Sequence, residues 1–123
     1  AHHLDWADAT LDRVKDYQAE QLIGGRGSVI KGRVAVDDAI EQSRSFLQTM
    51  IRECSAVRDR GGDVVDAFRA CHAALQPQYG SWPIFEHCLP FNVSRLWEEL
   101  SGIDRPRIWT PDIDREVWAK LHP

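Results

Sequence analysis

The sequence predicts a mainly α-helical chain of about five helices with one short strand. Three observations carry this. Apolar residues recur three and four positions apart along most of the chain. Cap and stop signals bracket these runs. Only one short apolar stretch, Gln21-Leu22-Ile23, sits against a glycine run and reads as a brief strand.

The elements follow in order. Leu4, Ala7, Leu11 and Val14 share one helix face, with Asp8, Asp12, Arg13 and Asp16 between them. After the strand, Gly24-Gly25-Arg26-Gly27-Ser28 places three glycines in four positions, predicting positive φ or close backbone approach in a tight strand-to-helix connection. Asp37 and Asp38 are expected to open the longest helix. Its stripe runs through Val36, Ala39, Ile40, Ser43, Phe46, Leu47, Met50, Ile51, Cys54 and Val57, and Gly61-Gly62 ends it. Asp63 caps the next helix, whose inward face is Val64, Val65, Phe68, Cys71, His72 and Leu75, and Pro77 is expected to stop it. Residues 76–90 read as an irregular aromatic-rich segment. Asn92 is then expected to cap a helix carrying Val93, Leu96, Trp97 and Leu100, closed by Gly102. Thr110-Pro111-Asp112 starts the last helix, with Ile113, Val117, Trp118 and Leu121 on one face.

Composition bounds the function. The chain has 123 residues, enough for one domain, with 43% hydrophobic and 28% charged residues. A net charge of -4 argues against nucleic acid as partner, because phosphate binding needs a basic stripe. No long uncharged apolar run implies a membrane span, and no signal-peptide pattern is present. Cys54, Cys71 and Cys88 are odd in number and lack CxxC spacing. Cys54 and Cys71 fall on apolar helix faces and predict buried thiols, and the set fits a reducing cytoplasmic setting, not a disulfide framework. Asn92-Val93-Ser94 matches a glycosylation sequon but is read as a cap.

The lone strand at Leu22 needs a partner, so it is expected to pair with another chain or with a sheet outside this sequence. The only methionine is Met50, which adds to the expectation that the chain is a piece of a larger protein. Ala1-His2-His3 reads as native sequence or as a tag remnant and predicts no element of the fold.

Four groups could carry chemistry. The backbone of Gly24, Gly25, Gly27 and Ser28 could cradle an anion, although neither phosphate-loop nor dinucleotide glycine spacing is present. Glu86-His87-Cys88 has metal-ligand residue types. Three adjacent residues do not converge on one ion, and only His72 and His122 remain to complete a set, so no metal site is expected within the chain. Glu86 or His87 instead bonds its own segment's backbone or faces a cleft. Cys88 could act as a nucleophile with His72 or His87 as base. Among Trp6, Trp82, Trp97, Trp109 and Trp118, the helical ones suit core or interface positions. Trp82 and Trp109 lie in loops, where they would cover a pocket or a partner.

Leu22-Ile23-Gly24-Gly25-Arg26-Gly27-Ser28-Val29-Ile30, between an amphipathic helix and a long one, resembles the last strand and loop of metallo-β-lactamase-fold hydrolases. In that family two apolar residues and a small residue precede Gly-His-Gly. Trp82-Pro83-Ile84-Phe85-Glu86-His87-Cys88-Leu89-Pro90-Phe91-Asn92-Val93 resembles the C-terminal extension of a bacterial branch of the superfamily. So do Pro106-Arg107-Ile108-Trp109-Thr110 and Asp114-Arg115-Glu116-Val117-Trp118.

The resemblance implies the C-terminal part of a larger αββα fold. Residues 1–32 would supply the last helix, strand and glycine loop of the core, and 33–123 a helical extension. That extension would cap the active site or mediate dimerisation. The HxHxDH ligand signature is absent, and Arg26 stands where the loop histidine would be. A guanidinium does not ligate a cation, so this chain alone would be non-catalytic and hold no cofactor, with zinc belonging to the parent protein. Arg26, Glu86, His87 and Trp82 would then contact substrate. The expected partners are a second copy of the chain or an N-terminal metallo-domain. The alternative is a stand-alone helical protein-interaction domain.

Overall fold

The computed structural model describes residues 3–121. The mainly helical class is borne out. A helical stretch comprises α1 (His3–Asp5), a π-helical turn (Trp6–Thr10) and α2 (Leu11–Asp16). Strands β1 (Gln21–Leu22) and β2 (Ile30–Lys31) follow, then α3 (Arg33–Asp59), α4 (Val64–Tyr79), α5 (Phe85–Leu100) and α6 (Pro111–Leu121). The chain divides into two compact units, Ala1–Gln48 and Thr49–Pro123. No helix among the described residues is long and apolar enough to cross a membrane.

In the first unit Ala7, Val36, Ile40 and Leu47 are buried. Arg44 organises the polar side. Its Nη1 donates to the carbonyl of Ala7 at 2.6 Å, and its Nη2 donates to Asp12 Oδ1 at 2.6 Å. Its Nε donates to Glu41 Oε2 at 3.2 Å. Ala7 lies in the π turn, where hydrogen bonding is out of α register, and the guanidinium supplies a donor there. Lys15 donates to Glu41 at 2.8 Å. That bond holds the ammonium above its ordinary range and the carboxylate below its own. Both groups are solvated, so the pair adds little stability.

The expectation of an unpartnered strand is corrected. β1 pairs antiparallel with β2 in the register Gln21↔Lys31 and Leu22↔Ile30. The Gly32 amide donates to the Glu20 carbonyl at 2.9 Å beyond the last pair. The glycine run therefore turns the chain back on itself instead of leading directly into a helix. Gly27, at φ +87°, supplies the left-handed residue the turn requires. Val29 and Ile30 are β-branched and suit the returning strand. α3 also starts earlier than Asp37, at Arg33, whose Nε reaches Asp37 one turn on at 3.2 Å.

The second unit is built around the later half of α3, α4 and α5. Met50, Cys54, Val57, Ala67, Cys71, Leu75, Leu89, Val93 and Leu96 are almost fully buried. After α3 the Gly62 amide donates to the Val57 carbonyl at 3.0 Å. A Cβ on Gly62 would lie 2.7 Å from Val57 Cγ1, so a side chain there would force the turn apart. Asp63 caps α4 as expected. Its Oδ1 accepts from the amides of Val65 at 2.9 Å and Asp66 at 3.0 Å, and Asp66 closes the capping box.

Two expected boundaries move. Pro77 does not stop α4, which continues to Tyr79. So near the C-terminus, proline's missing N–H costs a single helical bond. Asn92 does not cap α5. That helix begins seven residues earlier at Phe85, and both Pro90 and Asn92 lie inside it. Hence the supposed irregular segment is two helix ends joined by a short turn, residues 80–84. Thr110, Pro111 and Asp112 start α6 as expected, with the Ile113 amide 3.4 Å from Thr110 Oγ1.

At the α3–α4 contact Cys54 Sγ lies 3.6 Å from Cys71 Sγ, and both side chains are fully buried. The contact with Cys54, and then burial, push the Cys71 thiol well above its ordinary range. The folded chain thus keeps a proton that the unfolded chain gives up. This stabilisation is fully present below the unfolded thiol value of about 8.5 and declines as pH rises above it. Cys71→Ala is expected to cost about 1–2 kcal/mol at neutral pH. In denaturant titrations across pH, the gap between wild type and variant should narrow above pH 8.5. A constant gap would mean the thiol is not held protonated by the fold.

Candidate functional site

The sequence-derived candidates fall in both units. Gly24, Gly25, Arg26, Gly27 and Ser28 are all exposed in the turn between β1 and β2 of the first unit. This corrects their expected setting: the loop connects two strands, not a strand to a helix start, so no helix terminus adds its dipole to an anion site there. Arg26 keeps an exposed, always-charged guanidinium.

Trp82, Glu86 and His87 belong to the second unit. Trp82 lies in the turn after α4 and packs edge-on against Tyr79, with ring centroids 4.6 Å apart. It anchors the turn. Ile84 follows at φ 59°, a left-handed conformation that is strained for a β-branched residue. This strained residue leads directly into the first turn of α5, which carries Glu86 and His87.

Glu86 and His87 do come together at one cavity, of about 240 Å³, with Phe68, Pro90 and Trp118. Phe68 comes from α4, Glu86, His87 and Pro90 from α5, and Trp118 from α6. Both Glu86 carboxylate oxygens lie near His72 Nε2, at 3.1 and 3.2 Å. The His72 ring sits between Phe68 and Phe85, each 5.9 Å away by centroid. Glu86 therefore pairs with an imidazole on the neighbouring helix and does not bond its own segment. Trp82 does not line this cavity.

Sequence reasoning missed Phe68 and Trp118 as site residues, reading Phe68 as inward-facing and Trp118 as a core or interface position. Trp118 is 58% exposed, which helical spacing alone does not reveal. The available signal was the pairing of Phe68 with His72 one turn apart, beside a segment rich in aromatics and carrying a carboxylate.

Metal chemistry finds no support in these residues. No group of three His, Cys, Asp or Glu side chains among the described residues is placed to hold an ion. His122 lies outside the described residues. Cys88 is half-buried, and no hydrogen bond joins it to His72 or His87, so the arrangement needed for a Cys–His nucleophile is not formed.

The far end of α5 has a different role. Glu98 and Glu99 are buried in its last turn, where negative charge opposes the helix dipole. Arginines offset this. Arg95 Nε donates to Glu99 at 2.9 Å. The Arg107 amide donates to Glu98 Oε2 at 2.7 Å, and its guanidinium Nε donates to Oε1. This clamp fixes the loop before α6, where Trp109 meets Phe91 edge-on at 5.3 Å and its Nε1 donates to Asp114 at 3.2 Å. In the last helix Glu116 accepts from Lys120 at 2.6 Å, which holds its carboxyl below the usual range.

No protein-family model matches this chain, and no curated protein matches it.

Replacing Glu98 with Ala should cost about 1–3 kcal/mol, because it strands the Arg107 amide and removes a charge-assisted bond. Thermal unfolding monitored by circular dichroism measures this. A melting temperature equal to wild type would show that the Arg107 clamp carries no load.

Proposed function

We propose that this chain is the C-terminal segment of a metallo-β-lactamase-like metal-dependent hydrolase and is not catalytic by itself. Residues 1–32 contribute the terminal strand and loop of the core. Residues 33–123 form a helical extension that caps the active site or mediates dimerisation. The observation that carries this reading is the Leu22–Ile30 stretch with its glycine loop, set between an amphipathic helical stretch and a long helix. The exposure of Arg26 at the loop tip supports a contact with an anionic substrate group, since a guanidinium fork matches carboxylate and phosphate. The residues present do not fit a zinc site. Arg26 cannot ligate a cation, and no ligand cluster forms among the described residues. The metal of such an enzyme would be held by residues outside this sequence, and no step is assigned to it.

Sequencing the gene upstream of the Ala1 codon tests the reading. An in-frame HxHxDH stretch is the expected result. A start codon within a few residues of Ala1 would overturn it and leave the stand-alone helical interaction domain. In the intact enzyme, Arg26→Ala should raise KM for an anionic substrate about tenfold, with kcat much less affected, as expected for lost uniform binding. An unchanged KM would remove Arg26 from the substrate contact.

A further inference from the structure

The cavity between α4, α5 and α6 has a composition that selects one kind of ligand. Two of its walls are aromatic, Phe68 and Trp118, and a third is Pro90. Among the described residues its only carboxylate is Glu86, and no lysine or arginine lines it. His72 occupies the two Glu86 oxygens from one side through a single ring nitrogen. A carboxylate offers about four lone-pair sites, so acceptor capacity remains. Pro90 adds to this. It has no N–H to give the carbonyl of Glu86, the residue four positions before it, so the helical bond that would normally engage that carbonyl cannot form. A carboxylate-bearing residue and two aromatic residues thus border one space of about 240 Å³. Trp118 borders this space while 58% exposed, so a ligand there is reachable from solvent.

From this geometry we infer that the cavity is a binding site for a small organic cation, an amine or quaternary ammonium compound with a compact apolar body. The ammonium group lies against the faces of Trp118 and Phe68, where the ring quadrupole attracts positive charge. Glu86 neutralises it. The apolar body packs against Pro90. His87 borders the same space and contributes a ring nitrogen for a polar substituent. An anion is disfavoured, because it would meet the Glu86 carboxylate with no lysine or arginine among the described lining residues to offset it. This inference does not rest on the hydrolase reading, since every residue it uses lies within this chain.

Binding is read on the chain itself, by NMR of ¹⁵N-labelled protein titrated with benzyltrimethylammonium chloride. Parallel titrations use benzyl alcohol and benzoate. The Trp118 indole signal is assigned by comparison with Trp118→Phe. The expected result is saturable shifts at the Trp118 indole and at the Glu86 and His87 amides, with a Kd of about 1 mM or tighter. Glu86→Gln should weaken the cation about tenfold while leaving the rest of the spectrum in place. Benzoate should give no saturable shift, and benzyl alcohol should bind more weakly than the cation. Absence of saturable shifts at these three resonances would overturn the proposal. Equal binding of benzoate, or unchanged affinity in a folded Glu86→Gln variant, would do so as well. Should Glu86→Gln disturb folding, Trp118→Leu on the exposed face of α6 gives the same readout through loss of the aromatic wall.

Discussion

The second unit depends on how closely α3 and α4 can approach. Small side chains lie at their contact: Cys54 meets Cys71 at 3.6 Å between sulfurs, and Ala67 is buried one turn earlier on α4. Bulkier residues there would hold the helices apart, because interaxial distance follows the side chains at the contact. The raised Cys71 thiol belongs to the same constraint: its sulfur contacts Cys54 Sγ and is buried away from water, with the Met50 carbonyl 3.8 Å away. With α4 placed, its Phe68 and His72 face the start of α5, and the position of Glu86 follows.

The first unit meets a different demand. Its N-terminal helical stretch contains a π turn, which costs regular hydrogen bonding. Arg44 answers with a donor to the Ala7 carbonyl and a charge pair to Asp12. The aspartates between the apolar positions of that stretch are therefore more than a solvated face. One of them fixes the guanidinium that closes the turn.

Much of the fold is legible in the residues, and the reasons for the rest are physical. Asp63 with Asp66, and Thr110 with Pro111, announce helix starts because capping is a local event decided within four residues. The prolines mislead because their cost depends on position. Pro77 is near a helix end, and Pro90 sits where a buried apolar face pulls α5 through it, with Phe85 and Leu89 on one side and Val93 on the other. Burial of those residues outweighs one lost backbone bond. The returning strand was hidden for another reason. Two residues are too few for alternation to register, so Ile30–Lys31 emerges only from its pairing with Leu22 and Gln21. At the site, Glu86, His87 and His72 stood out by residue type. Their arrangement did not, because His72 and Trp118 are remote in sequence and no spacing rule links them to α5.

The attachment of α6 has a consequence for exchange with solvent. None of its residues is fully buried, and its links to α5 include a partly buried stripe, the Arg107 clamp on Glu98 and the Trp109 bridge between Phe91 and Asp114. An element so held opens at far lower free energy than the α4–α5 pair behind it, as a separate cooperative unit. Its amides report on that local opening, while those of α4 and α5 report on global unfolding. Because Trp118 belongs to α6, a ligand filling the proposed site is expected to slow amide exchange along 111–121. Occupancy at a single ring is thereby converted into protection of an entire helix.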